Sequence, residues 1–178
     1  MQNIFKELSA QRLIHVVLFD VVWFLAVWGR ADFIGLTGVL VVVLYAVNWR
    51  HLVQQLKALV LFVLTGLVAE LTLVYAGVLK FSGTDYLPLW LVVLWLGFAA
   101  TAFTSMDWMA RRYGLALLFG LVFGPITYLA GVRFDAAELL VSKLVMVSAY
   151  GFVWAVLMLM FARLVTFYRA KEQGINNA

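Results

Sequence analysis

Four ionisable residues stand inside otherwise apolar runs of this chain: Asp20, Glu70, Asp107 and Lys143. On insertion scales, Asp or Lys at mid-bilayer costs about 2.5–3.5 kcal/mol, so depth decides which of them needs a special role. Asp20, in LFDVVWF, and Glu70, in GLVAELTLVYAG, lie far from either end of their runs. Such a carboxylate can exchange protons, bind a substrate or act as a catalytic acid or base in a cavity. The alternative is a neutral carboxyl hydrogen-bonded to a neighbouring helix, which fixes packing and does no chemistry. Gly66 and Gly77 share the Glu70 face at i−4 and i+7, where small residues admit a close helix or leave room for a ligand. Asp107 precedes Arg111 by four residues, a spacing that predicts an interfacial i,i+4 ion pair. Lys143 has a stem long enough to snorkel to the headgroups. It also shares a helical face with Tyr150 and Trp154, which would suit the polar wall of a cavity.

Two further stripes are small and hydroxylated. In LGFAATAFTSMDW, helical spacing aligns Gly97, Ala100, Thr101, Thr104, Ser105 and Trp108. In GLVFGPITYLAG it aligns Gly120, Gly124, Thr127 and Gly131. Pro125 removes the hydrogen bond to the Leu121 carbonyl, which predicts a kink and a carbonyl in need of another partner. The candidate polar site is therefore Glu70, with Tyr128 and Thr104 as hydrogen-bond partners and Asp20 and Lys143 as further members. Gly66, Gly77, Gly120, Gly124, Pro125 and Gly131 form the candidate kink and packing set.

No catalytic residue is assigned. The chain has no GxSxG elbow, no HExxH and no phosphate-binding lysine loop. It has no cysteine and only two histidines, His15 and His51, in different elements. No metal site and no cofactor is expected from such a set.

These residues must be positioned by membrane helices. Of the 178 residues, 66% are hydrophobic, well above the roughly half of a soluble domain, and the mean hydropathy is +1.02. The apolar runs repeat at about the 20-residue length that crosses a bilayer. The expected fold is an all-α polytopic bundle of six transmembrane helices. The runs are Leu13–Gly29, Phe33–Val47, Ala58–Leu79, Leu87–Met109, Tyr113–Val132 and Leu139–Val165. Residues 1–12 and 166–178 form terminal segments around a membrane domain of residues 13–165.

Lys6, Arg12, Arg50, Lys57, Arg111, Arg112, Arg163, Arg169 and Lys171 fall on one side, and only Arg30, Lys80 and Arg133 on the other. Both termini should then be cytoplasmic. The formal charge of +4 is dispersed among short loops, so it reads as membrane-orienting and not as a nucleic-acid surface. Membrane lipids are the expected partners, with a membrane-protein partner or a homo-oligomer left open. Trp28, Trp49, Tyr86, Trp90, Trp108 and Tyr113 fall near span ends as an aromatic belt. WRHLVQQLK reads as a short loop touching anionic headgroups.

Several segments carry a resemblance: LFDVVWFLAVWG, GLVAELTLVYAGVLKF, PLWLVVLWLGFAATAFTSMDW and GPITYLAGVRFDAAEL. In order and spacing they resemble a family of bacterial inner-membrane proteins classed as a domain of unknown function. The resemblance covers most of residues 13–140 and is most specific in the PLWL…LW run and in GPxxYxxG. It implies a multi-pass protein of the bacterial cytoplasmic membrane with an acid at position 70, usually the shorter aspartate. It also implies an amide where Asp20 stands and a non-acidic residue where Asp107 stands, which weakens a catalytic case for both. The resemblance also implies a link to membrane lipid chemistry, since members of that family are often encoded near genes for cyclopropane-type fatty-acyl modification. Two other function classes stay open. A solute-capture subunit would dock its partner through an AxxxA face on the first helix, where this chain has bulky Val, Leu, Phe and Trp. A non-catalytic assembly subunit would use Glu70 only to fix helix register.

Overall fold

A computed structural model describes the backbone of residues 2–47 and 49–176 and the side chains of 12–47, 49 and 55–171. Lys6, Arg50 and His51 lie outside the described side chains. In chain order the elements are α1 (Gln2–Phe24), which continues as a wider π-helical turn at Leu25–Gly29, then α2 (Ile34–Val47) and α3 (Trp49–Tyr75). They are followed by β1 (Leu79–Phe81), α4 (Leu89–Ala100), a 3-10 turn at Asp107–Met109, α5 (Tyr113–Arg133), β2 (Ala137–Leu139) and α6 (Lys143–Asn176). Helices dominate because a backbone in lipid must satisfy its own hydrogen bonds.

Among the described residues, four helical segments are long and apolar enough to cross a membrane: Arg12–Gly29, Gln55–Tyr75, Tyr113–Arg133 and Lys143–Lys171. The expectation of six full spans is not met by length. With 14 and 12 residues, α2 and α4 extend only about 21 and 18 Å, against a hydrocarbon core of about 30 Å.

The largest departure is in the fourth run. A helix was expected from Leu87 to Met109, but α4 ends at Ala100. Two hydroxyls of the small-residue stripe bond backbone carbonyls there: Thr101 donates to Phe98 at 2.7 Å and Thr104 to Ala100 at 3.1 Å. The backbone tightens to three-residue turns, with the Thr101 N–H on Phe98 and the Ala102 N–H on Ala99. Irregular backbone of this kind is tolerated at membrane depth only inside protein or along a cavity. Ala102, Ser105 and Met109 are indeed buried.

Other boundaries also move. WRHLVQQLK is not a loop but the first turns of α3. At its other end, α3 stops at Tyr75 rather than Leu79. Gly77, at φ +68, closes it with the paired bonds Val78 N–H to Leu73 and Gly77 N–H to Val74. Only glycine adopts that left-handed cap at little cost, so Gly77 terminates the helix and does not share an interior face with Glu70. Leu79 and Leu139, expected as helix ends, instead pair in an antiparallel ribbon that also joins Lys80 to Glu138 and Phe81 to Ala137. At the far end, α6 continues through residues 166–176 without a break.

The most extensive helix pair is α5 with α6. Its closeness follows from glycine. A Cβ at Gly120 would overlap the Trp154 carbonyl, and one at Gly124 would overlap the Trp154 side chain. Gly151 of α6 sits over the turn opened by Pro125, where a Cβ would lie 3.2 Å from the Leu121 carbonyl oxygen. That is the carbonyl Pro125 leaves without its helical donor, and α5 still runs on as one helix to Arg133. Gly131 is buried, but the nearest atom to a Cβ there would be Val27 Cγ1 at 3.9 Å, an ordinary contact, so close packing does not require glycine at this position.

Candidate functional site

Glu70 is 2% exposed, the most buried carboxylate among the described residues. Since α3 ends at Tyr75, Glu70 lies about 7.5 Å from that end, nearer the interface than its run suggests. Its neighbours come from three other helices. The Tyr128 hydroxyl of α5 donates to Oε1 in a short hydrogen bond, and the Tyr150 hydroxyl of α6 donates to Oε2 at 3.4 Å. The Trp95 side chain of α4 interacts with the same carboxyl. The two tyrosine rings lie against each other with centroids 3.9 Å apart. One turn before Glu70, Gly66 is needed because a Cβ there would overlap the Trp95 ring. The carboxyl thus ties α3, α5 and α6 at one point.

Of the expected polar site, the structure bonds Tyr128 to Glu70 and sets Asp20 on the wall of a cavity that Tyr128 also lines. Thr104 bonds within its own turn. Lys143 is exposed at the start of α6. Asp20 is exposed on α1 and lines that cavity without a hydrogen bond to Glu70's partners Tyr128 and Tyr150. Tyr150 and Trp95 join Glu70 without having been assigned to it. Tyr150 could have been suspected as a hydroxyl inside a span, but its pairing with residue 70 is set by packing.

The cavity, about 500 Å³, lies between α1, α4 and α5, with Trp154 of α6 at its back. Its walls are Val16, Phe19, Asp20, Trp23 and Val27 from α1, and Trp90, Leu91, Leu94, Trp95 and Phe98 from α4. Phe119, Phe123, Gly124, Thr127, Tyr128 and Gly131 complete it from α5. Trp90 and Trp108, expected only as belt residues, both line it. Phe81, Ala136 and Ala137 bring the β1–β2 ribbon to one end, and Ser105, Met106 and Trp108 bring the irregular segment after α4 to the other. Between Phe119 and Gly131, α5 rises about 18 Å, comparable with one leaflet's hydrocarbon depth of about 15 Å. The main packing partners of α1 are α2 and α4, not α5, so the cavity has a helix on each side without a closed seam between them. Glu70 and the cavity meet only through Tyr128 and Trp95.

Each end is tied differently. Beside the ribbon, Arg30 donates to the Asp135 carbonyl at 2.6 Å and Ser82 to the same oxygen at 2.7 Å. At the other end, Asp107 does not pair with Arg111, because no helix carries them four residues apart. Its Oδ2 accepts from Arg12 of α1 at 3.0 Å and from Arg169 of α6. The Arg111 backbone N–H donates to Thr166 Oγ1 at 2.8 Å, with Arg111 at φ +63. The early part of α1 and the late part of α6 therefore meet at one end of the bundle.

Among the described residues, no group of three or more His, Asp or Glu side chains gathers to hold a metal ion. No curated protein and no solved structure matches the chain. A family model does match, over residues 12–160. The chain belongs to that family, described as "Protein of unknown function (DUF2878)".

Proposed function

We propose that this is a multi-pass protein of the bacterial cytoplasmic membrane, with both termini in the cytoplasm, that holds the hydrocarbon chain of a membrane lipid between α1, α4 and α5 and serves fatty-acyl or lipid modification as a binding component. The observation that carries this reading is the cavity of about 500 Å³, which is the size of a small-ligand site and is lined almost wholly by aromatic and aliphatic side chains. Its lateral seam between α1 and α5 offers entry from the lipid phase. In this reading Glu70 is a tie between helices and not a reacting group, because its carboxyl is occupied by Tyr128 and Tyr150.

The test is the lipid complement of the purified protein. The wild type should carry lipid through detergent exchange, read by mass spectrometry. Thr127→Phe, which places a ring in the cavity, should carry less. Glu70→Gln, which keeps an acceptor for both tyrosines, should carry as much as the wild type. Equal lipid in the wild type and Thr127→Phe would reject the cavity as a lipid site.

A further inference from the structure

We propose that the Arg12–Asp107–Arg169 cluster is a phosphate site that orients the lipid, with the headgroup at this end and the chain running toward the β1–β2 ribbon. The inference rests on the cavity reading above and adds the headgroup class and the direction of binding.

Three observations carry it. First, the charges do not cancel: one carboxylate oxygen of Asp107 serves two guanidinium groups, so a unit of positive charge is left over. Second, burial is unequal. The Asp107 side chain is 12% exposed, whereas those of Arg12 and Arg169 are 49% and 39% exposed. A guanidinium has five N–H donors, and the contact with Asp107 leaves most of them free on the outer side. The buried carboxylate holds in place two arginines that would otherwise move independently, and a fixed guanidinium matches phosphate oxygens in a fork. Third, the cluster stands at the rim of the cavity. Met106 and Trp108 flank Asp107 in sequence and both line the cavity, and Val16, one helical turn from Arg12, lines it as well. The opposite end offers no such charge to the cavity. There Phe81, Ala136 and Ala137 face it, Lys80 is paired with Asp85, and Glu138 stands opposite Lys80 in the ribbon. An amphiphile with an anionic phosphate therefore has one favourable direction.

The experiment compares ligands bound to the full-length protein in mixed micelles, read by native mass spectrometry. The probes are phosphatidylglycerol, a diacylglycerol with the same chains, and soluble glycerol phosphate. Phosphatidylglycerol should be retained at least about tenfold better than diacylglycerol, the scale of one charged hydrogen bond. Arg12→Gln combined with Arg169→Gln should abolish that preference and leave diacylglycerol binding unchanged. Raised salt should weaken phosphatidylglycerol retention by the wild type and leave diacylglycerol untouched, an arm that needs no variant to fold. Glycerol phosphate should not compete. If it competes as well as the lipid, the site takes free phosphate and the orientation is wrong. If both lipids bind equally and salt has no effect, the headgroup assignment fails while the cavity reading stands. If neither lipid binds, both fail.

Discussion

Helix α5 presents two faces of opposite character. Toward α6 it offers Gly120 and Gly124, and the helices approach until a Trp154 carbonyl occupies the place of a side chain. Toward α1 it offers Phe119, Phe123 and Thr127, and the helices stand apart around a cavity. Small residues at helical spacing were read in the sequence as one stripe with one purpose. The structure divides them: Gly120 and Gly124 close an interface with α6, whereas Thr127 and Gly131 serve only as cavity wall, which Gly124 also borders. Packing and vacancy on the same helix differ because a lipid environment gives helices no hydrophobic reason to associate, so contact follows only where surfaces fit.

The contrast can be broken from either face. The largest effect is expected at Gly120→Val, whose side chain would meet backbone that cannot rotate away. It should cost about 3 kcal/mol, the upper range for overpacking, and lower both membrane accumulation and the thermal unfolding temperature in detergent. Next is Glu70→Ala, which leaves two tyrosine hydroxyls buried without an acceptor and should cost about 2–3 kcal/mol by the same thermal measurement. Glu70→Gln should stay within about 1 kcal/mol of the wild type. A Gln variant as damaged as Ala would mean that the carboxyl does more than accept hydrogen bonds.

Tyr128→Phe should cost about 1 kcal/mol, and more than Tyr150→Phe, whose bond to Glu70 is long at 3.4 Å. Thr127→Phe, on the cavity face, should change unfolding by less than about 0.5 kcal/mol while reducing bound lipid. A large destabilisation there would show that the space is already filled by packing.

The smallest effect is expected at the ribbon. Lys80 donates to Asp85 at 2.8 Å, and this hydrogen bond, then the lysine's charge, holds the Asp85 carboxyl below the ordinary carboxylate range. The same pair holds the Lys80 ammonium above the ordinary lysine range, with Glu138 adding to it. The aspartate's contribution is lost only as pH falls through its lowered value. The lysine's is lost only as pH rises through its raised value. Both groups are exposed and screened. Asp85→Asn should therefore leave the unfolding temperature unchanged from about pH 5 to about pH 9, where neither group titrates.

Much of this was legible in residue types. The length of the apolar runs and the inward placement of Glu70 follow from the cost of exposing polar backbone or charge to hydrocarbon, which any sequence must respect. The likeness to the family rests on particular segments, the PLWL…LW run and GPxxYxxG above all. Tyr128 was reached because a hydroxyl inside a span needs a partner. The end of α4 was harder. Its hydroxyls fit a helical stripe equally well. Their bonds to the carbonyls of Phe98 and Ala100 resemble that of Thr127 to Gly124 inside the unbroken α5, so only the three-residue backbone turns from Thr101 onward mark the end. Asp107 was matched to the wrong arginine because spacing is informative only while the helix continues.

What the sequence determined by itself is the solvent: a chain this apolar, with few charges inside its apolar runs, belongs in a bilayer. What tertiary structure alone decided is which side chains share a site. Glu70 meets Tyr128 and Tyr150 across 58 and 80 residues, and Asp107 meets Arg12 and Arg169 across 95 and 62. Periodicity reports which face of a helix turns inward, but not which neighbour it finds there. That is set by how closely glycine lets two helices approach and by where bulky rings hold two others apart.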